Sequence, residues 1–345
     1  MLLSLLERID ITMKKIVIIG GAGFIGHNLA VALKRIGHEV SIIDSLAVNN
    51  LISIMGNYDN LPNAKLSNYI INERIKLIND NKINFFTQDA RDYHLLSKTL
   101  NQISPNIIIH LAAVSHSNRS NKDPYSTFDH SLRTLENSLD NSKKKIEHFI
   151  YLSSSMVYGN FNNLKVNEET VCNPVGIYGA LKFAGEKLVI AYNQVFDLPY
   201  TIIRPSALYG ERCISRRVGQ IFLEKAFLNE VLELEDNGSE SLDFTYIEDL
   251  ISGIINVIEK KNSINQIFNL TYGDARKIKT LIEILQEHFP NIKFTNKVRD
   301  KLMPVRGTLS IEKAKNLIEY NPKWNLEKGY AKYILWYKNL FSSFQ

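Results

Sequence analysis

Short apolar, β-branched runs alternate with helix-like stretches along the first two thirds of the chain. The runs are Ile16–Ile19, Val40–Ile43, Ile83–Phe86, Ile107–Ile109, Phe149–Leu152 and Thr201–Ile203. Between them, Phe24–Ile36, Tyr93–Leu100 and Ser126–Leu139 carry helical spacing. Apolar strands of this kind, separated by helices, predict an α/β fold: a Rossmann-type, doubly wound parallel sheet covered on both faces. Residues 46–80 exceed a normal strand-to-helix connection and read as an insertion, with a helix near Tyr69–Ile78. After Gly210 the alternation weakens. Helices are expected at Arg217–Leu228, Ile247–Glu259, Lys277–His288 and Glu327–Phe341, forming a smaller α/β C-terminal part. The expected division is a leader at 1–12, a sheet domain at 13–205 to which 243–270 returns, and a second domain at 206–345. The expectation of a leader rests on Met13-Lys14-Lys15, which looks like a natural start.

Composition narrows the function classes. Forty-one Lys+Arg against 36 Asp+Glu leave +5, and the one basic run, Lys143-Lys144-Lys145, reads as a solvated helix end. No basic stripe marks a nucleic-acid partner. No apolar run approaches the ~18 residues of a membrane span. Two cysteines, Cys172 and Cys213, supply neither a disulfide framework nor a metal set. A cytoplasmic protein with no nucleic-acid, membrane or metal partner is expected.

The first strand runs into Gly20-Gly21-Ala22-Gly23-Phe24-Ile25-Gly26, and a helix follows. Glycines at this spacing allow a tight turn, close approach of backbone N–H groups to a pyrophosphate, and close helix–strand packing. The helix N-terminus adds partial positive charge. Asp44 ends the second strand 18 residues after Gly26. A carboxylate there accepts from a ribose diol and repels a 2′-phosphate, which favours NAD over NADP. Asp89 closes the third strand near an expected adenine, and Asp92 competes as a helix N-cap.

Tyr178 and Lys182 lie four apart on a predicted helix, Tyr178–Val195, and so share a face. An ammonium beside a phenol favours phenolate, which can take a proton from a substrate hydroxyl. The spacing alone is weak, since about one such pair arises by chance in this composition. The preceding strand ends in Ser153-Ser154-Ser155, whose hydroxyls can orient the same proton.

These segments together resemble the extended short-chain dehydrogenase/reductases, in particular the sugar-nucleotide epimerases and dehydratases. The resemblance covers residues 14 to about 320. It rests on Gly20–Gly26, Asp44, Asp89, His110-Leu111-Ala112-Ala113, Ser153–Gly159, Tyr178-Gly179-Ala180-Leu181-Lys182, Arg204-Pro205 with Tyr209-Gly210, and Asp243-Phe244-Thr245-Tyr246. It implies NAD held by Gly20, Gly23, Phe24, Ile25, Gly26, Asp44, Asn49, Asp89, Ala90, Leu111, Ala112, Ala113, Ser153, Tyr178 and Lys182. It also implies Tyr178 as base, Lys182 as ribose ligand and pKa tuner, and Ser154, three residues before Val157, as third member. Relatives dimerise through segments matching Pro124–Asp140 and Tyr178–Val195, so a homodimer or higher homo-oligomer is expected.

Departures from the family pattern bear on the reaction. Dehydratases carry Glu two residues after the catalytic Ser/Thr, often preceded by Asp. Here Ser155 and Met156 stand in those positions. Hydride and proton transfer at C4 of a nucleotide-diphosphate sugar remains, as a 4-epimerase or a C4 dehydrogenase. The alternatives are a 4,6-dehydratase and a non-catalytic NAD-binding sensor. Leu242 stands where many relatives place an Arg that grips the diphosphate, and Ala207 where many have Asn. Arg216, Arg217 and Arg306 are the candidate replacements, since a guanidinium meets a diphosphate with two parallel donors. Ser115 and His116 are candidates for the sugar side. The stretches at 117–124 and 204–217 resemble bacterial surface-polysaccharide enzymes, which implies GDP-heptose as a candidate substrate.

Overall fold

The computed structural model describes residues 12–56, 63–115, 117–143, 145–161, 165–299 and 302–344. The leader expected at 1–12, apart from Thr12, falls outside the described residues, as do His116 and Lys144.

Seven strands form one sheet: β1 (Lys15–Ile19), β2 (Glu39–Asp44), β3 (Asn84–Thr87), β4 (Ile107–His110), β5 (His148–Leu152), β6 (Tyr200–Arg204) and β7 (Gln266–Asn269). The order is β7-β6-β5-β4-β1-β2-β3, and every pairing is parallel. The strand order reverses between β1 and β4. In open parallel sheets the crevice at such a reversal, beyond the strands' carboxyl ends, is where ligands sit.

Period-2 alternation sends neighbouring side chains to opposite faces. Ile16, Ile18, Ile42, Ile107 and Ile109 pack on one face under α1 (Phe24–Arg35), α2 (Ala64–Asp80) and a helix at Ile247–Glu259. Val17, Ile19, Ile43 and Ile108 pack on the other under α3 (Tyr93–Ile103), α4 (Thr134–Ser142) and α5 (Gly176–Phe196). The first core continues without a break into Tyr330, Tyr333 and Tyr337 of the last helix, Leu326–Phe344. The second half therefore closes over the same apolar face as the sheet's own helices.

Two expected elements differ in detail. The single helix expected at Ser126–Leu139 is broken into Pro124–Phe128, a π-turn at Asp129–Arg133 and α4. In the insertion, α2 starts five residues before the expected Tyr69, with Asn63 in the left-handed region at φ +56°. Lys143 and Lys145 stand just past the end of α4, on Asp140 and Asn101. Among the described residues no helix is long and apolar enough to cross a membrane, and no group of three or more metal-ligating side chains occurs.

Candidate active site

A cleft opens at the carboxyl ends of β1, β2 and β4 and encloses about 910 Å³ of space continuous with solvent. Its wall includes Gly20, Gly23, Phe24, Ile25 and Gly26 from the glycine turn, then Asp44, Asn49, Asp89, Ala90, Leu111, Ala112, Ala113 and Ser115. Two glycines of the turn have no room for a side chain. A Cβ on Gly20, whose φ is +82°, would sit 2.6 Å from the Ala112 nitrogen. A Cβ on Gly26 would sit 2.5 Å from the Gly21 Cα. The first contact keeps the β1 and β4 loops together, and the second keeps α1 against the turn.

Asp44 is fixed by its neighbours. Oδ2 accepts the Ala22 N–H at 2.9 Å and Oδ1 the Leu46 N–H at 2.7 Å. Burial raises its pKa, and those two bonds only partly offset it. Each oxygen keeps a further lone pair for a ribose hydroxyl. Asp89 has its oxygens engaged: the Arg91 side chain forks onto both, with contacts of 2.7–3.1 Å. Burial pushes Asp89 up, but the hydrogen bonds from Arg91 outweigh it and hold the carboxyl below its usual range. Asp92 caps α3 by accepting the Leu95 N–H. The Asn49 amide donates to the Ser115 hydroxyl at 3.0 Å, linking the insertion to the β4 loop.

Ser154 follows β5 as N-cap of a 3-10 turn, Ser155–Tyr158. Gly179 allows α5 to lie on that turn, because a Cβ there would meet the Met156 carbonyl oxygen at 2.8 Å. The close approach brings the Ser154 hydroxyl near enough to Tyr178 to favour its phenolate. Burial raises the Tyr178 pKa, and Arg217 and then Ser154 pull it back down. Ser153 points elsewhere, donating to Glu186 at 2.5 Å. Lys182 is buried and donates to the Leu152 carbonyl at 2.6 Å, with its ammonium 5.0 Å from the Tyr151 ring centre. Burial brings the Lys182 pKa down to about 7 against the pull of Glu186. The ammonium expected beside the phenol is thus held on a carbonyl, and the cation that faces Tyr178 is Arg217. Ser155 and Met156 are both buried and non-ionisable.

The three candidate arginines separate. Arg217 lines the cleft. Arg306 lies close enough to Arg217 for mutual repulsion and binds Glu240 at 3.2 Å. Arg216 turns away to Glu224 at 3.3 Å. Leu242 is buried in the core. Ala207 keeps a left-handed backbone, φ +36°, which suits the Asn of relatives.

Comparison with known proteins agrees with this geometry. The model of the NAD dependent epimerase/dehydratase family matches residues 16–271. The chain belongs to that family. A Bacillus subtilis protein named as an uncharacterized UDP-glucose epimerase is 30% identical over 335 residues, covering 95% of this chain and 99% of the relative. A putative UDP-glucose 4-epimerase of Methanocaldococcus jannaschii is 28% identical, covering 94% and 98%. The crystal structure of a Bacillus cereus UDP-glucuronic acid 4-epimerase with UDP-glucuronic acid and NAD superposes with a TM-score of 0.84 at 26% identity, covering 94% of this chain and 99% of that one.

This family member is an enzyme whose cofactor is NAD. Its residues fit that group. The cleft is lined by the glycine turn, Asp44 and the loop after β4, the parts that would meet a dinucleotide's diphosphate and ribose. Gly23, at the N-cap of α1, leaves that end without a side-chain cap. Asp44 retains acceptor capacity for a ribose. Two features at the cleft, one behind its wall and one in it, escaped the sequence reading. Asn50, buried, donates to the Ala22 carbonyl at 3.2 Å and ties the insertion to the glycine turn. Arg74 reaches the wall from α2. Neither carries a motif, and only the tertiary path of the insertion brings them there.

Proposed function

We propose that this enzyme interconverts the C4 epimers of a uridine diphosphate sugar. The observation that carries the reading is Tyr178 with Arg217 and Ser154 both favouring its phenolate against burial, and no carboxylate at positions 155 and 156. Bound NAD supplies the hydride acceptor for C4 and, in the return step, the hydride donor. Tyr178 as phenolate takes the proton of the C4 hydroxyl, Ser154 orients that hydroxyl, and the tyrosine later gives the proton back. Arg217 stabilises the phenolate by charge. Lys182, four residues along the same helix, holds the ribose next to the nicotinamide. Elimination of water across C5 and C6 needs an acid and a base, which Ser155 and Met156 do not supply.

Arg217 and Arg306 form the cationic side of the substrate cleft and meet the diphosphate, while Arg216 serves the fold by holding Glu224. Ser115 contacts the sugar side. The names of the relatives favour uridine over guanosine, so GDP-heptose and a role in surface polysaccharide stand on the loop resemblance alone. Residues 206–345 act as the substrate-side domain. The working form is a homodimer through the 124–140 segment and α5, which is supported by exposed Tyr125, Phe128 and Val195 on those segments.

The experiment is incubation of the purified protein with UDP-glucose, UDP-glucuronate, UDP-N-acetylglucosamine and GDP-heptose, followed by NMR and mass spectrometry of the products. A C4 epimer of unchanged mass is expected from one of the UDP-sugars. Loss of water from the substrate assigns a dehydratase instead. A panel left unconverted by protein that retains NAD assigns a sensor.

A further inference from the structure

The insertion places a buried cation beside the glycine turn. Arg74, on α2, is 1% exposed. Nε donates to the Arg212 carbonyl at 2.9 Å, and Nη2 donates to the same oxygen. Nη1 has no hydrogen-bond acceptor. Among the described residues no carboxylate lies within ion-pair distance of this guanidinium; Arg212 is its cationic neighbour, and His27 nearby is held neutral by burial and the two arginines. Its acidic neighbour Asp44 already accepts two backbone N–H groups. Burial lowers the Arg74 pKa to about 10, so it is still charged at neutral pH. A buried charge with a free donor and a cationic neighbour is unfavourable unless an anion joins it.

The wall that Arg74 helps to form names that anion. It includes Gly20, Gly23, Phe24 and Ile25, at the end of α1 that has no side-chain cap. An uncapped helix N-terminus attracts phosphate through its backbone N–H groups and dipole. We propose that Arg74 is a direct ligand of the cofactor's diphosphate, donating from Nη1 opposite the N-terminus of α1. The ribose 2′ position is the other anion-bearing candidate, but Asp44 at the end of β2 repels a phosphate there. The remaining arms of Arg74 hold the Arg212 carbonyl, at the start of the loop that leads to Arg217. Diphosphate binding thereby also steadies the loop that carries the Tyr178-facing cation. The assignment is independent of which sugar is turned over.

The test is calorimetric titration of the full-length protein, freed of nucleotide, with ADP, adenosine and 2′-AMP. In Arg74→Met the affinity for ADP is expected to fall about tenfold or more while adenosine stays within about twofold. Thermal melting of the nucleotide-free variant sums the loss of the two bonds to the Arg212 carbonyl and the loss of the buried charge, so the affinity ratio is the deciding readout. A merely structural role predicts a lower melting temperature with an unchanged ADP-to-adenosine ratio, and that result overturns the proposal. Loss confined to 2′-AMP also overturns it. If Arg74→Met does not fold, Arg74→Lys keeps the charge but lacks the fork. A reduced ADP-to-adenosine ratio in that variant supports the role, and an unchanged ratio rejects it.

Discussion

Arg204 holds Glu186 by two hydrogen bonds, Nε to Oε1 at 2.9 Å and Nη2 to Oε2 at 2.7 Å, with both side chains buried. The pair fastens the middle of α5 to the end of β6, and Ser153 at the end of β5 donates to the same carboxylate. Ser153 is committed there, and Ser154 is the hydroxyl that acts on Tyr178. Removing one partner of a buried pair leaves the other charge uncompensated, a cost of about 3–5 kcal/mol. Glu186→Gln is expected to lose stability on that scale, read by chemical denaturation. Glu186 also holds the Lys182 pKa up. Its loss is expected to weaken the hold on the ribose proposed for Lys182, seen as weaker NAD binding in the fraction that stays folded.

Tyr178→Phe is expected to abolish turnover while NAD is retained, since the ring stays and only the proton-carrying oxygen goes. Near-normal turnover would remove the phenolate from the mechanism. Arg217→Met is a graded version of the same test. The guanidinium pulls the Tyr178 pKa down against burial, so its removal leaves the phenol more strongly protonated. The rising limb of kcat against pH is expected to move to higher pH in the variant. If only KM rises and the limb stays in place, Arg217 serves substrate binding alone.

Gly26→Ala puts a methyl group 2.5 Å from the Gly21 Cα, where only backbone can give way. The expected result is loss of NAD from the purified protein, measured by absorbance of the nucleotide released on denaturation. Retention of NAD at wild-type levels would show that α1 can shift without opening the turn.

The sheet was legible because its signals are local. Six of the seven strands carry an apolar run, whereas β7, Gln266–Asn269, has only Ile267 and Phe268 between polar residues and is not among the strands expected. The Gly20–Gly26 turn, Asp44, Ser154, Tyr178 and Lys182 lie near strand ends or in the first turns of a helix, defined by their own neighbours. What the sequence concealed depends on distant segments meeting. Arg74 is a helical arginine among polar residues until α2 folds over the glycine turn. Arg217 looks equivalent to Arg216 until the backbone at Arg216, φ +50°, turns the two side chains apart. Lys182 and Tyr178 share a helix face as their spacing requires, yet the Leu152 carbonyl, 30 residues away in sequence, decides where the ammonium rests.

Burial lowers the His148 pKa to about 4, while its Nε2 lies 2.8 Å from the Thr201 hydroxyl. A folded-state pKa below the unfolded ~6.5 means the unfolded chain binds the proton more readily. The contribution of this group is therefore fully present above about pH 6.5 and is lost as pH falls toward 4. At pH 5 the loss is about 2 kcal/mol. Asp243 works the other way: burial raises it to about 7, which favours the folded state as pH falls. The wild-type curve sums both, so the clean measurement is the difference between wild type and His148→Gln. That difference, from urea denaturation, is expected to shrink between pH 7 and pH 5. If it is constant, His148 is not held neutral by the fold.

Tyr125 is 85% exposed. It lies in Pro124–Phe128, beside half-exposed Phe128 and next in sequence to the π-turn that supplies His130 to the cleft wall. An apolar surface of this kind on the proposed dimer face is buried when a second copy docks through the same segments. Tyr125→Arg sets a charge against its symmetry-related copy, where it is desolvated without a partner. The variant is expected to run as a monomer in light scattering where the wild type runs as a dimer, with an unchanged far-ultraviolet spectrum. Because Asp129 in the π-turn also binds Arg91, the partner of Asp89, the monomer is expected to hold NAD less tightly. A variant that remains dimeric at micromolar concentration would exclude this segment from the interface.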